Sequence, residues 1–132
     1  MLLSMKITLQ NLLRLQFSFY IFAISYLLVS YIAILNGEKA LSTADPINSG
    51  IILSLYCLSL LTAFLKEHKV YRTFMAISII IFGYGGVIHH FINYYNSGLE
   101  EYSSFMSWSI AIIINSYGVF FNIVAVCGKY KR

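Results

Sequence analysis

The chain has 132 residues, of which 59% are hydrophobic and only 11% charged; soluble domains carry roughly 45–50% and about 25%. So few polar groups cannot cover a water-facing surface, which excludes a soluble enzyme, a disordered tail and a nucleic-acid-binding module. The formal net charge of +4 has to be read from its distribution along the chain.

At the N-terminus Leu2, Leu3, Met5, Leu9, Leu12 and Leu13 are interspersed with Lys6, Gln10, Asn11 and Arg14. Residues 1–14 read either as an interfacial helix lying on a membrane surface or as an extension of the first span. A cleavable leader is disfavoured, because the apolar run after Arg14 outlasts an h-region of about 7–15 residues. The first span is expected over 15–35, closed by Asn36-Gly37, a left-handed C-cap signal. The second is expected over 46–66. It opens at Asp45-Pro46, where the carboxylate is expected to accept from free backbone N–H groups and Pro suits the first helical position. The third is expected over 73–96, before Asn96-Ser97-Gly98. The fourth is expected over 104–127, capped by Ser103 or Ser104 and closed at Gly128. Each uncharged run suffices for the about 20 helical residues that cross a hydrocarbon core.

Lys and Arg then orient the spans. Lys6, Arg14, Lys66, Lys69, Arg72, Lys129, Lys131 and Arg132 fall on one side, and Lys39 alone on the other. Glu38, Asp45, Glu100 and Glu101 share the side of Lys39, with Glu67 the exception. The positive-inside rule puts the basic side in the cytoplasm. The expected fold is an all-α integral membrane protein: a four-span, up-down-up-down transmembrane helix bundle in one domain. Both termini are expected to be cytoplasmic, in a prokaryotic plasma (inner) membrane.

On the fourth span Ser104, Ser107, Ala111, Asn115, Gly118, Asn122 and Ala125 recur every three or four residues and form one narrow stripe. Small residues on one face let helix backbones approach, so Ser107, Ala111 and Gly118 read as a packing seam. The sharper reading makes Asn115 and Asn122 one wall of a polar pocket. The third span carries Phe82-Gly83-Tyr84-Gly85-Gly86-Val87-Ile88-His89-His90. Gly83 and Gly86 can admit a partner backbone there, and Gly86, His90 and Asn93 share a face.

His89 and His90 are functional candidates, because ionisable groups within spans are expensive. They lie about 100° apart on an undistorted helix, so they do not face one metal together. Haem would need a second imidazole at matching depth, and the remaining histidine, His68, is in the basic loop. Tyr84 and Tyr117 are further candidates for lining a cavity. Tyr31, Tyr71, Tyr94, Tyr95, Tyr102 and Tyr130 read as an aromatic belt. Cys57 and Cys127 differ in depth by roughly 15 Å, too far for a disulfide.

No phosphate loop, nucleophile elbow or His-Glu-x-x-His pattern is present. The leading expectation is therefore a small scaffold or accessory protein that packs with itself or a membrane complex through its small-residue faces. Its partners would be the lipid bilayer and a second copy or complex, with no nucleic acid, metal or cofactor. The alternative is a small-molecule or ion transporter or ligand-binding bundle, with a polar cavity between the third and fourth spans. Third comes a membrane enzyme using His89 or His90 with Glu100 or Glu101.

Overall fold

A computed structural model describes residues 6–132. The chain is mostly helical, 77%, and has four helices long and apolar enough to cross a membrane. In chain order they are α1 (Leu9–Leu35), α2 (Pro46–Phe64), α3 (His68–Ser97) and α4 (Phe105–Val126). Two short strands, β1 (Ile7–Thr8) and β2 (Tyr130–Lys131), pair in parallel. At 1.5 Å per residue even the shorter helices are about 30 Å long.

Local chemistry accounts for where the helices begin and end. Thr8 caps α1, its hydroxyl accepting from Asn11 N–H at 3.2 Å, so α1 starts well before residue 15. Residues 9–14 are thus the extension of the first span and not a separate interfacial helix; Leu2, Leu3 and Met5 lie outside the described residues. The Asn36-Gly37 stop is present, with Gly37 at φ 76°.

Pro46 takes the first position of α2, but the Asp45 side chain makes no capping hydrogen bond. The Ser49 N–H bonds instead to the Asp45 carbonyl, at 2.9 Å. After Ser59 the helix tightens into a 3₁₀ turn, Leu60–Phe64, and ends two residues before the expected 66. The Ser59 and Thr62 hydroxyls donate to the carbonyls of Tyr56 and Ser59, both at 2.6 Å. Such back-bonding competes with the i−4 ladder and favours the tighter turn.

Helix α3 starts at His68, not 73. The charges that suggested loop lie on its first turns, and the Arg72 guanidinium there donates to the Val126 carbonyl at the C-terminus of α4 (2.9 Å from Nε). Further along, Tyr84–Ile88 form a π turn, with His89 N–H bonding back to Tyr84 O. Ser104 caps α4 by accepting from Ser107 N–H at 3.1 Å.

α4 packs against both α1 and α3, α2 packs on α1, and α2 meets α3 mainly through its last turn, Leu60–Phe64, next to the connecting loop. Along the α1–α4 contact Gln16 meets Asn122, Ser18 meets Tyr117 and Tyr26 meets Ser107, so these helices are antiparallel. Arg132 reaches the Lys66 carbonyl and His68 meets Tyr130. The termini and the α2–α3 turn therefore share one end, the basic end. Loops 36–45 and 98–104 share the far end, where the Ser103 N–H bonds to Leu41 O.

The interior is largely apolar, as in a water-soluble bundle, but the outside is apolar too. Phe17, Phe22, Leu28, Ile80, Phe120 and many other large apolar residues are exposed, while Gln16, Ser30, His90 and Asn122 are buried.

Candidate functional site

The interior is layered along the bundle axis. Nearest the basic end is a buried polar cluster to which all four helices contribute. The Tyr71 hydroxyl donates to Gln16 Oε1 at 2.6 Å. Gln16 Nε2 donates to Asn122 Oδ1 at 3.0 Å and to Met75 Sδ at 3.1 Å. The Tyr56 hydroxyl also donates to Asn122 Oδ1, at 2.8 Å. Asn122 Nδ2 is buried with no partner among the described residues. Donors removed from water gain most when they meet acceptors inside the bundle, so the cluster ties the four helices together.

Above it lies an aromatic layer. Phe19, Tyr56 and Phe82 meet edge to face, with ring centroids 5.2–5.4 Å apart. This arrangement sets positive ring edges against negative faces. Phe19 lies against Gly118, where a Cβ would come within 2.6 Å of its ring. Gly118 is therefore a point of close packing inside the chain.

Beyond the aromatic layer, toward the far end, is a cavity of about 180 Å³. All four helices and loop 36–45 contribute to its wall. Ala23, Leu27, Leu53 and Phe82 make apolar parts of it; Ser42, Ser49, His90 and Asn115 bring polar groups. No Asp, Glu, Lys or Arg lines it among the described residues. Asn115 Nδ2 donates to Ala111 O on its own helix at 2.8 Å. Asn115 packs so closely on Gly86 that a Cβ at residue 86 would collide with it. At Gly85 a Cβ would meet nothing within 4 Å.

A polar cap closes the far end. His90 Nδ1 and the Tyr102 hydroxyl share a hydrogen bond of 2.8 Å. Asn93 Nδ2 donates to the same hydroxyl and to Thr43 Oγ1, both at 3.3 Å. Trp108 Nε1 donates to the His90 carbonyl at 2.9 Å, and the Tyr26 hydroxyl donates to the Ser107 carbonyl at 2.8 Å. Loop 36–45 is held down by Leu41 N–H donating to Ser30 Oγ at 3.0 Å. His90 Nε2 makes no hydrogen bond to the described residues, which leaves it available to a ligand.

The π turn helps to aim His90. Phe82, Gly86 and His90 are buried at steps of four. Four α-helical residues overshoot a full turn by about 40°. The i→i+5 bonding places more residues in the turn and keeps these positions nearer one face. His89 is exposed.

The structure therefore divides the residues singled out in the sequence. His90 and Asn115 meet at the cavity, with Gly86 and Ala111 in its wall. Asn93 supports the cap. Asn122 lies in the other polar cluster, beyond the aromatic layer. Tyr84 is 60% exposed and points away from the cavity. Tyr117 bonds to Ser18 Oγ at 2.7 Å, outside the cavity. Gly83 has Val119 Cγ2 near its Cβ position, at 3.9 Å, and no backbone of the described residues approaches it there.

Ser107, Ala111 and Gly118 are buried within the chain. Glu100 and Glu101 are exposed, and the His90 ring is bonded to Tyr102 instead. No three His, Cys, Asp or Glu side chains converge among the described residues. Tyr71, Tyr102 and Tyr130 are buried and so do not belong to a surface belt. Gln16, Tyr71, Tyr102 and Ser42 are the participants that the sequence reading missed. Gln16 had a visible signal: it falls in the three-and-four spacing of Leu12, Phe19 and Ala23.

No family model, curated protein or solved structure matches the chain.

Proposed function

We propose that this chain is a four-span integral membrane protein whose bundle binds a small molecule in the far-end cavity. In this reading the four apolar helices cross a plasma membrane, with both termini and the basic α2–α3 turn in the cytoplasm. Two features support insertion. Large apolar side chains cover the outside while amides and hydroxyls pair inside, as expected where lipid replaces water. Eight of the nine Lys and Arg belong to the basic end, as the positive-inside rule requires of a cytoplasmic face.

The observation that carries the binding reading is the cavity of about 180 Å³. Ligand sites are concave and mostly apolar, with a few convergent polar groups, and His90, Ser42, Ser49 and Asn115 supply those groups. The scaffold reading rests on the small-residue faces of α4 and α3; the α4 stripe is covered by the chain's own helices, and Gly86 of α3 packs on Asn115. The enzyme reading has its carboxylates in an exposed turn. Ligand binding is accordingly the better supported of the three.

Gly85 lines the cavity and is exposed at its edge, so Gly85→Leu adds bulk at the rim without forcing a clash at Cβ. The test is native mass spectrometry of protein extracted from its own membrane in mild detergent. A bound mass should accompany the unaltered chain and Tyr84→Leu, and should be lost from Gly85→Leu. No adduct on the unaltered chain, or the same adduct on all three proteins, would refute the proposal.

A further inference from the structure

Resting on the binding reading above, we infer that the cavity takes a neutral amphiphile that enters sideways from the bilayer between α2 and α3. The ligand would have about six to ten non-hydrogen atoms, because a cavity of about 150 Å³ accepts benzene.

The direction of access follows from which walls are closed. Toward the basic end the Phe19–Tyr56–Phe82 layer blocks the path. At the far end loop 36–45 is tied at Leu41 to Ser30 Oγ and to the Ser103 N–H. Ser42, in the same loop, is 4% exposed although it lines the cavity. The side wall between α2 and α3 is different. Ile52 of α2 and Ile81 of α3 both line the cavity, yet are 40% and 41% exposed. Beside them the backbone at Gly85 faces open space. The mouth is thus framed by isoleucine side chains on a surface that lipid would cover, and a molecule dissolved in the hydrocarbon reaches it without crossing a polar barrier.

The chemical class follows from the wall. A formal charge inside would find no opposite charge, since no acidic or basic chain lines the cavity among the described residues, and an unpaired charge at this depth is strongly disfavoured. A pure hydrocarbon would leave His90 Nε2 without a partner. An alcohol- or amide-like head can pair with the imidazole, while its short tail lies on Leu27, Leu53 and Phe82.

The test uses hexan-1-ol carrying a diazirine, added to the full chain in phosphatidylcholine liposomes and photolysed; labelled peptides are mapped by mass spectrometry. Label should concentrate around Ile52–Leu53 and Ile81–Phe82 and fall at least about fivefold in the presence of excess hexan-1-ol. Excess glycerol or hexanoate should leave it unchanged. Gly85→Leu, with its helix content checked by circular dichroism, should show the same fall. Competition on the unaltered protein does not depend on the folding of any variant. Equal competition by glycerol or hexanoate would overturn the neutral-amphiphile class. So would label spread evenly over the lipid-facing helices and insensitive to hexan-1-ol. If either occurs while the native adduct is still lost in Gly85→Leu, the binding reading survives and only the ligand class falls. If the adduct is absent too, both fall.

Discussion

Gly118→Ala isolates the close packing at the centre of the bundle. A Cβ there would stand 2.6 Å from the Phe19 ring. That ring has no exposed surface and is boxed in by Tyr56 and Phe82. It can move only by displacing the aromatic layer, and overpacking of this kind costs about 1–3 kcal/mol. The substitution also gains helix propensity, up to about 1 kcal/mol, which would mask part of the cost. Gly50→Ala supplies the control, because it lies within α2 with nothing within 4 Å of its Cβ position. Subtracting one change from the other removes the propensity gain and leaves the steric cost. The assay is reversible denaturation in mixed micelles with rising SDS, monitored by circular dichroism. Gly118→Ala should be about 1–3 kcal/mol less stable than Gly50→Ala. Combining it with Phe19→Leu should recover part of that difference, as expected for two side chains in contact. If the two alanine variants agree within about 0.5 kcal/mol, the packing argument is wrong.

Three further outcomes follow from the same structure. Tyr71→Phe removes the donor to Gln16 Oε1 and should destabilise the bundle by about 0.6 kcal/mol, and by no more than about 1.7 kcal/mol, in the same titration, the mean and maximum for hydrogen bonds between membrane helices; no change would mean that the cluster does not tie the helices. Ser30→Ala removes the acceptor for Leu41 N–H, so amide exchange at Leu41 should accelerate while exchange in the middle of α1 stays the same. Burial raises the Tyr130 hydroxyl above its ordinary pKa, with Arg72 and Arg132 opposing the rise. The folded state therefore holds this proton more tightly than the unfolded one, and the associated stability is complete below the ordinary value of about 10 and is lost as pH climbs through the raised value. Tyr130→Phe should flatten that alkaline decline, and an unchanged slope would refute the assignment.

Much of the fold is visible in the sequence because bilayer-length apolar runs and helix stops are local signals. Asn36-Gly37, Pro46 and Ser104 each act where their chemistry suggests. What local reading misses depends on other helices. His68, Lys69 and Arg72 look like loop residues until the C-terminus of α4 is in place to accept the Arg72 guanidinium. Tyr71 and Tyr102 look like interface residues until Gln16 and His90 are found beside them. Adjacent histidines also look equivalent in sequence, and only the folded backbone separates a buried His90 from an exposed His89. Helical periodicity brought His90, Asn115 and Gly86 forward as candidates. It could not show that an aromatic layer separates Asn122 from them, since that layer is assembled from three different helices.

Membrane insertion in the stated direction underlies the whole account, and thiol accessibility in intact cells tests it most directly. With Cys57 replaced by Ala, Cys127 is exposed near the basic end, and Glu100→Cys with Cys127→Ala puts a single thiol in the exposed turn at the far end. A membrane-impermeant maleimide should label the Glu100→Cys protein in sealed cells and should reach Cys127 only after permeabilisation. Labelling of Cys127 in sealed cells, or labelling at residue 100 that requires permeabilisation, would contradict the account.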